Sequence, residues 1–309
     1  MTIYDTIIIG GGSSGFSAAM YAGRLNMKTL VLCEGIGGTL AIAGSIENWP
    51  GIKAIDGYDL VENIHQHALE YGITVIEKRA TSCKKKDGNF LVGVEGESYE
   101  GKTIIFATGT RVRKLGCPGE DQYANKGVHY CALCDGPLYK GKILGVVGGS
   151  DSAAKEALVL SEYASKVFII YRGEQIRAEY VNLKRVEKKL KEDKIRIINF
   201  TNVTEIKGDE KKVTSVILDK AYNDKNELVL DGLFIEIGHI PLSDLAKDIG
   251  VALDQKGEIV IDREAKTNVE GVYAAGDVVD TKFKQAITGA GEAVLAAYSA
   301  YTYVSGKEL

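Results

Sequence analysis

Cysteine, proline and tryptophan are scarce in this chain: 309 residues carry five Cys, four Pro and one Trp. Thiols at positions 33, 83, 117, 131 and 134 are too few and too scattered for a disulfide scaffold. Charge of one sign is also missing, with 38 Lys and Arg against 42 Asp and Glu and a net charge of −4. That balance argues against nucleic acid or an anionic membrane surface as a partner. The lysine runs at 84–86 and 188–189 are short and interleaved with acids, and they read as solvated faces. No apolar run is long enough to span a bilayer. The opening Met1-Thr-Ile-Tyr-Asp enters an apolar stretch at once, with no basic leader or small-residue cleavage site. Export and membrane insertion are therefore not expected, and the expected compartment is the cytoplasm.

What is present is an ordinary globular composition, 45% hydrophobic, with length for two domains. The apolar run Thr6 to Ile9, the helical spacing of Ser14 to Leu25 and the short run Thr29 to Cys33 form a strand–helix–strand opening. Asn48-Trp49-Pro50-Gly51 interrupts as a loop, and Gly57 to Tyr71 returns to helix, with His65 and His67 on its polar face. Short strands follow, broken at Lys86-Asp-Gly-Asn89 and Glu95-Gly-Glu97, and a separate buried strand spans Thr103 to Phe106. A second strand–turn–helix unit opens at Lys142, and a second set of hairpins lies between Val203 and Leu230, with turns near Gly208-Asp209 and Asn223-Asp224. The fold class is α/β: two Rossmann-like, three-layer dinucleotide-binding domains, the second inserted into the first. The expected boundaries are 1–112 with 243–309 for the first and 113–242 for the second.

Two glycine-rich turns carry the first chemical reading. Gly10-x-Gly12-x-x-Gly15 follows a strand and opens a helix, and Glu34 ends the next strand, where an acid meets a ribose. Backbone amides at such a helix start suit a pyrophosphate. The second turn, Gly148-Gly149-Ser150-Asp151-Ser152-Ala153, departs from this pattern. Ser150 replaces the second glycine, where it either crowds a pyrophosphate or bonds to it, and Ala153 replaces the third. The following strand ends at Tyr171-Arg172-Gly173, with Arg177 beyond. That pair of cations favours the 2′-phosphate of NADPH over a bare ribose, against the alternative of two surface arginines.

The run His129-Tyr-Cys131-Ala-Leu-Cys134-Asp135-Gly-Pro carries the second reading. Zinc would want a fourth ligand beyond His129, Cys131 and Cys134, and none is nearby in sequence. An inert buried pair is poorly served by Asp135-Gly136-Pro137. Redox work fits best: the spacing allows a small-ring disulfide, a helix start can lower a thiol pKa, and Asp135 can move protons during exchange. No metal site is expected.

In the order and content of these motifs the chain resembles the low-molecular-weight thioredoxin reductase family of flavoproteins, nearly end to end. The correspondences run through Gly10 to Gly15, Gly37-Gly38-Thr39-Leu40, Asn48-Trp-Pro-Gly51, Ala107-Thr108-Gly109, Cys131 to Gly136, Gly276-Asp277 and Lys284-Gln285-Ala286. The resemblance implies FAD in the first domain, held by Gly10, Gly12, Ser14, Gly15, Glu34, Gly38, Thr39, Leu40, Asn48, Thr108, Gly109, Gly276, Asp277, Lys284, Gln285 and Ala286. It implies NADPH at Gly149, Ser150, Asp151, Ser152, Arg172 and Arg177. Cys134 would face the flavin, Cys131 would attack the partner disulfide, and Asp135 would handle the proton. A thioredoxin or thioredoxin-like protein acting in trans is the implied partner, the assembly a homodimer. The inserted domain would rotate on crossovers near Val112 to Leu115 and Ile240 to Ser243. Tyr171-Arg172-Gly173 stands where the family has His-Arg-Arg, so NADH, ferredoxin or a deazaflavin is the alternative donor, and a different disulfide or a peroxidase system the alternative partner.

Overall fold

A computed structural model describes residues 2–43 and 45–307, and of Cys134 the backbone only. The chain divides into two compact units, Met1–Arg111 with Ile240–Leu309, and Val112–His239. In chain order, the first unit supplies strand β1 (Ile3–Ile9), helix α1 (Ser13–Arg24), β2 (Thr29–Leu32), α2 (Gly57–Leu69), β3 (Thr74–Ile76), β4 (Ser82–Lys86), β5 (Asn89–Val94) and β6 (Glu97–Phe106). The second unit follows with β7 (Val128–His129), α3 (Ala132–Asp135), β8 (Ile143–Val147), α4 (Asp151–Tyr163), β9 (Lys166–Ile170), α5 (Tyr180–Lys191) and β10 (Ile195–Ile198). It closes with β11 (Val203–Gly208), β12 (Val213–Tyr222), β13 (Lys225–Val229) and β14 (Gly232–Ile235). The chain then returns to the first unit for β15 (Val272–Ala274) and α6 (Ala286–Ser305).

In the first unit the strand order is β3-β2-β1-β6-β5-β4, with β15 also on β6. The pairs β1–β2, β2–β3, β1–β6 and β6–β15 are parallel. Parallel strands covered on both faces need apolar side chains on both, which is why β1 ends in an unbroken Ile run. Ile8 packs on one side with α1, α2 and α6, whereas Ile7 and Ile9 pack on the other with Val92 and Val94 of β5. Phe16 of α1 is fully buried in the helical layer, a contribution of about 1.5–3 kcal/mol. The alanines of α6 (293, 296, 297 and 300) are equally buried, and their small side chains let that helix lie close to the sheet.

Two sequence expectations change here. The stretch read as a hairpin strand and a separate buried strand is one ten-residue strand, β6. Its first half pairs antiparallel with β5 and its second half runs parallel to β1 and β15. Gly101 lies within the strand, and Ile7 fills the space where its side chain would stand. His65 does not share the polar face of His67. It is 7% exposed, its ring lies 4.5 Å from that of Phe16, and its Nδ1 is 3.3 Å from Glu62 Oε2.

The second unit repeats the plan with a five-stranded parallel sheet, β7-β14-β8-β9-β10, and a three-stranded antiparallel sheet, β11-β12-β13. Val147, Leu233 and Ile235 face the antiparallel layer, while Leu144, Val146 and Phe234 face the helical layer. The β12–β13 turn holds Asn223 and Asp224 at φ 51° and 64°, the left-handed geometry that tight hairpins require and these residue types tolerate. Among the described residues no helix is long and apolar enough to cross a membrane.

Candidate functional site

The first glycine-rich turn leaves the sheet where β1 ends. Gly10 holds φ +129°, and a side chain there would collide with the Ala107 carbonyl. A side chain at Gly15 would collide with the Gly10 carbonyl, so α1 can approach the strand only because residue 15 has none. Gly12 differs. A Cβ there would meet nothing closer than the Gly37 oxygen at 3.8 Å, so the backbone is open on one side. Gly12 caps α1 without a side-chain hydrogen bond, and the first helical turn carries no acid. The free amides and the positive end of the helix are thereby left for an anion. A dinucleotide pyrophosphate fits this cradle.

Neighbouring elements bring most of the remaining first-unit candidates to the same end of the sheet. The Gly37 amide donates to Gly11 O at 2.8 Å, which leads directly into the short turn containing Gly38, Thr39 and Leu40. Ser14 Oγ lies where side chains at Gly276 or Gly289 would stand, so the loop after β15 and the start of α6 close on α1. Asn48 Nδ2 donates to Gln285 Oε1 at 2.9 Å, joining positions 237 residues apart. Gln285 precedes Ala286 as the cap residue of α6, again with no side-chain cap and no acid in the first turn. Glu34 is exposed, with Arg79 Nη1 3.8 Å away.

Three other candidates are occupied structurally. Thr108 Oγ1 donates to Leu242 O at 2.7 Å, and the Leu242 amide donates to Gly109 O at 3.0 Å. Lys284 Nζ donates to Asp277 O at 2.8 Å and to Val279 O, and lies 3.1 Å from Glu258 Oε1. Its charge therefore ties down the loop that carries Asp277.

The second turn is more self-contained. Ser150 caps α4, its Oγ accepting from the Ala153 amide at 3.4 Å, so the hydroxyl turns back onto its own helix. Asp151 accepts from the Glu179 amide and Asn182 Nδ2, both at 2.8 Å, and pairs with Lys155 at 2.9 Å. Burial pushes its carboxyl up, but these partners outweigh burial and hold it below the ordinary range. Ser152 is exposed. The Tyr171 ring covers Gly149, and the Arg177 amide donates to Gly149 O at 2.6 Å. Arg172 and Arg177 are exposed, and neither guanidinium joins an ion pair among the described residues.

Cys131 is disulfide-bonded, 9% exposed, and immediately precedes α3. The side chain of Cys134 lies outside the described residues. Cys33, Cys83 and Cys117 are free. Burial first, then the Glu77 carboxylate, pushes the Cys33 thiol up to about 11; burial and Asp248 push Cys83 to about 12. Such thiols stay protonated and unreactive at neutral pH.

Around Cys131 the structure gathers Asp135 and His129 with two groups the sequence did not single out, Tyr139 and Glu156. Asp135 Oδ2 lies 2.9 Å from His129 Nδ1, an electrostatic contact that is not aligned as a hydrogen bond. His129 Nε2 is 2.8 Å from the Tyr139 hydroxyl, and its ring stacks on Phe234. Glu156 Oε1 accepts from the Ala132 amide at 2.7 Å. His129 was visible only as a zinc ligand. Glu156 had no signal at all, since its partner is 24 residues away. Among the described residues no cluster of His, Cys, Asp or Glu could hold a metal.

The family model described as pyridine nucleotide-disulphide oxidoreductase matches residues 4–293. A thioredoxin reductase of Treponema pallidum (strain Nichols) is 38% identical over 306 residues, 98% of either chain. The crystal structure of Lactococcus lactis thioredoxin reductase superposes with a TM-score of 0.92 at 36% identity, covering 98% of this chain and 100% of that one. That of T. acidophilum thioredoxin reductase gives 0.90 at 37%, covering 98% and 99%.

Proposed function

Because the chain belongs to the family of pyridine nucleotide-disulphide oxidoreductases, we infer that it is a flavin-dependent thioredoxin-disulfide reductase. Electrons would enter from NADPH, pass to FAD and then to the Cys131–Cys134 disulfide, and leave to a thioredoxin-like protein. The observation that carries this reading is the disulfide at Cys131, set at the head of a helix beside a carboxylate, in a chain with two dinucleotide turns. Cys134 is its partner in this reading, since the other three cysteines are free.

We assign FAD to the first unit. Bound there, it supplies a two-electron carrier. Gly10, Gly12, Ser14 and Gly15 would receive its pyrophosphate and Glu34 a ribose. The Asn48–Gln285 pair and the uncapped start of α6 would meet its ring end, with Gly38, Thr39, Leu40, Thr108, Gly109, Gly276 and Asp277 shaping the walls. Lys284 acts by fixing the Asp277 loop. The second unit would take NADPH at Gly149 to Ser152, and the unpaired cations of Arg172 and Arg177 are what favour a 2′-phosphate.

Reduction of the disulfide takes two electrons and two protons and breaks the S–S bond. Asp135, steadied by His129, handles one proton. The Cys131 thiolate then attacks the partner disulfide, forming a mixed disulfide and releasing one partner thiolate. Cys134 displaces the second, and the internal disulfide is restored. The reading extends to a cytoplasmic homodimer whose second unit reorients between flavin and partner.

Replacing Cys134 by Ser tests the assignment. The variant should keep its flavin and lose NADPH-dependent reduction of a thioredoxin disulfide. Turnover at the wild-type rate would overturn the role of the dithiol.

A further inference from the structure

Two acids in the second unit are half-buried where packing gives no reason for them. Glu156 lies on α4, and its Oε1 accepts the Ala132 amide, one residue past Cys131, at 2.7 Å. Its other oxygen is buried with no hydrogen-bond partner among the described residues. Glu236 follows the end of β14 and repels Glu156. Neither carboxylate forms an ion pair among the described residues. The nearest base on α4, Lys155, is taken by Asp151, and His129 is taken by Asp135. Asp135, from α3, adds a third negative charge facing Glu156. Burying like charges together costs stability, and such arrangements gather where a pKa must be tuned.

We propose that Glu156 is a positioning residue for the redox disulfide: it fixes the first turn of α3 through the Ala132 amide and, when ionised, disfavours negative charge on the Cys131 sulfur, making the dithiol a stronger reductant. This rests on the reading of Cys131 and Cys134 as the redox pair. Reduction adds two electrons and two protons, breaks the S–S bond and leaves two thiols, one of which must ionise to attack the partner. A carboxylate bonded to the amide of the very next residue raises the free energy of the thiolate. The equilibrium then tips towards the disulfide, with the two electrons handed on. Stabilising the thiolate would do the reverse and give an oxidant.

The control depends on pH. Burial pushes Glu156 up to about 7; the Ala132 amide opposes this and the Asp135 charge adds to it. Burial, then the Glu156 charge, pushes Glu236 to about 8. Glu156 is therefore largely neutral on the acid side of neutrality and ionised on the alkaline side, so its electrostatic effect belongs above about pH 7.

Glu156→Gln is the direct test, because the amide oxygen still accepts from Ala132 while the charge is gone. The purified flavoprotein is equilibrated in dithiothreitol redox buffers, and Cys131 is trapped by alkylation and quantified by mass spectrometry. At about pH 8.5 the variant should shift the equilibrium about tenfold towards the dithiol, about 30 mV for a two-electron couple. Its reduced Cys131 should also be alkylated several times faster. At about pH 5.5, where a wild-type carboxyl of this kind is neutral, the difference should vanish. An unchanged equilibrium at the alkaline pH, or an equal shift at both, overturns the proposal. A purely structural role would produce the equal shift.

The wild-type protein gives an independent check should Glu156→Gln fail to fold. The pH dependence of its dithiol–disulfide equilibrium should break at about pH 7, where Glu156 ionises. The absence of a break there overturns the proposal. A wild-type protein whose Cys131 does not cycle between disulfide and thiol overturns the underlying reading as well.

Discussion

The two glycine-rich turns are built on one plan, yet they leave different things open. In the first, the strand end packs against Ala107, Gly12 caps the helix without a side chain, and no acid occupies the first turn. In the second, the equivalent glycine, Gly148, packs against Glu236, Ser150 caps the helix with its own hydroxyl, and Asp151 sits in the first turn. The first turn therefore offers bare backbone to a ligand. The second has spent part of its hydrogen-bonding capacity on itself, and places two unpaired arginines beside the turn instead. A ligand embraced by backbone suits a resident cofactor. One held through exposed surface cations suits a nucleotide that comes and goes.

The comparison breaks most sharply at the third position of each turn. Gly15→Ala drives a Cβ into the Gly10 carbonyl and should yield colourless protein without flavin. Ala153→Gly, its counterpart, should keep the flavin and cost only about 0.5–1 kcal/mol of helix stability. Absorbance at purification and thermal unfolding distinguish them. Next in size, the Arg172→Gln/Arg177→Gln double variant should raise KM for NADPH about ten- to a hundredfold, as expected for lost charge-assisted bonds of about 1.5–3 kcal/mol. KM for NADH should hardly move. Equal effects on both nucleotides would make the arginines ordinary surface cations.

The carboxyls of Glu156 and Glu236 stand above the ordinary value of 4.5, at about 7 and about 8. The folded chain thus holds protons that the unfolded chain releases. The stability this brings is complete below about pH 4.5 and is lost as pH rises through 7 and 8. Unfolding temperature should fall across that window, and Glu236→Gln should flatten the fall. The Ala107 side of the first turn has no such titration. Smallest of all, Ser150→Gly removes a cap whose hydroxyl already faces inward. Stability should drop by a few tenths of a kcal/mol, and KM for NADPH should change less than about threefold.

The sequence made the turns legible because their constraints are local: a strand, a glycine where no side chain fits, a helix start. The disulfide at Cys131 was legible for the same reason, as Cys spacing within a single turn of chain. What surrounds it was not. Ala132 and Glu156 meet only because α3 and α4 pack on the same face of the sheet, and His129 is oriented by Phe234, more than a hundred residues on. Asn48 and Gln285 likewise required the chain to return to the first unit. His65 misled because Glu62, Gln66 and His67 around it made its helix face look polar, while Phe16 of another helix decides its burial. The strand through Gly101 looked like two because nothing local shows that β6 changes partners along its length.

The central claim is that electrons from a nicotinamide donor reach the Cys131 disulfide. Anaerobic titration of the purified protein with NADPH, and separately with NADH, following flavin absorbance and alkylation of Cys131 together, tests it most directly. The account predicts that NADPH bleaches the flavin at far lower concentration than NADH, and that the Cys131 thiol becomes alkylatable as it does. Flavin that bleaches while Cys131 stays locked in its disulfide would contradict it.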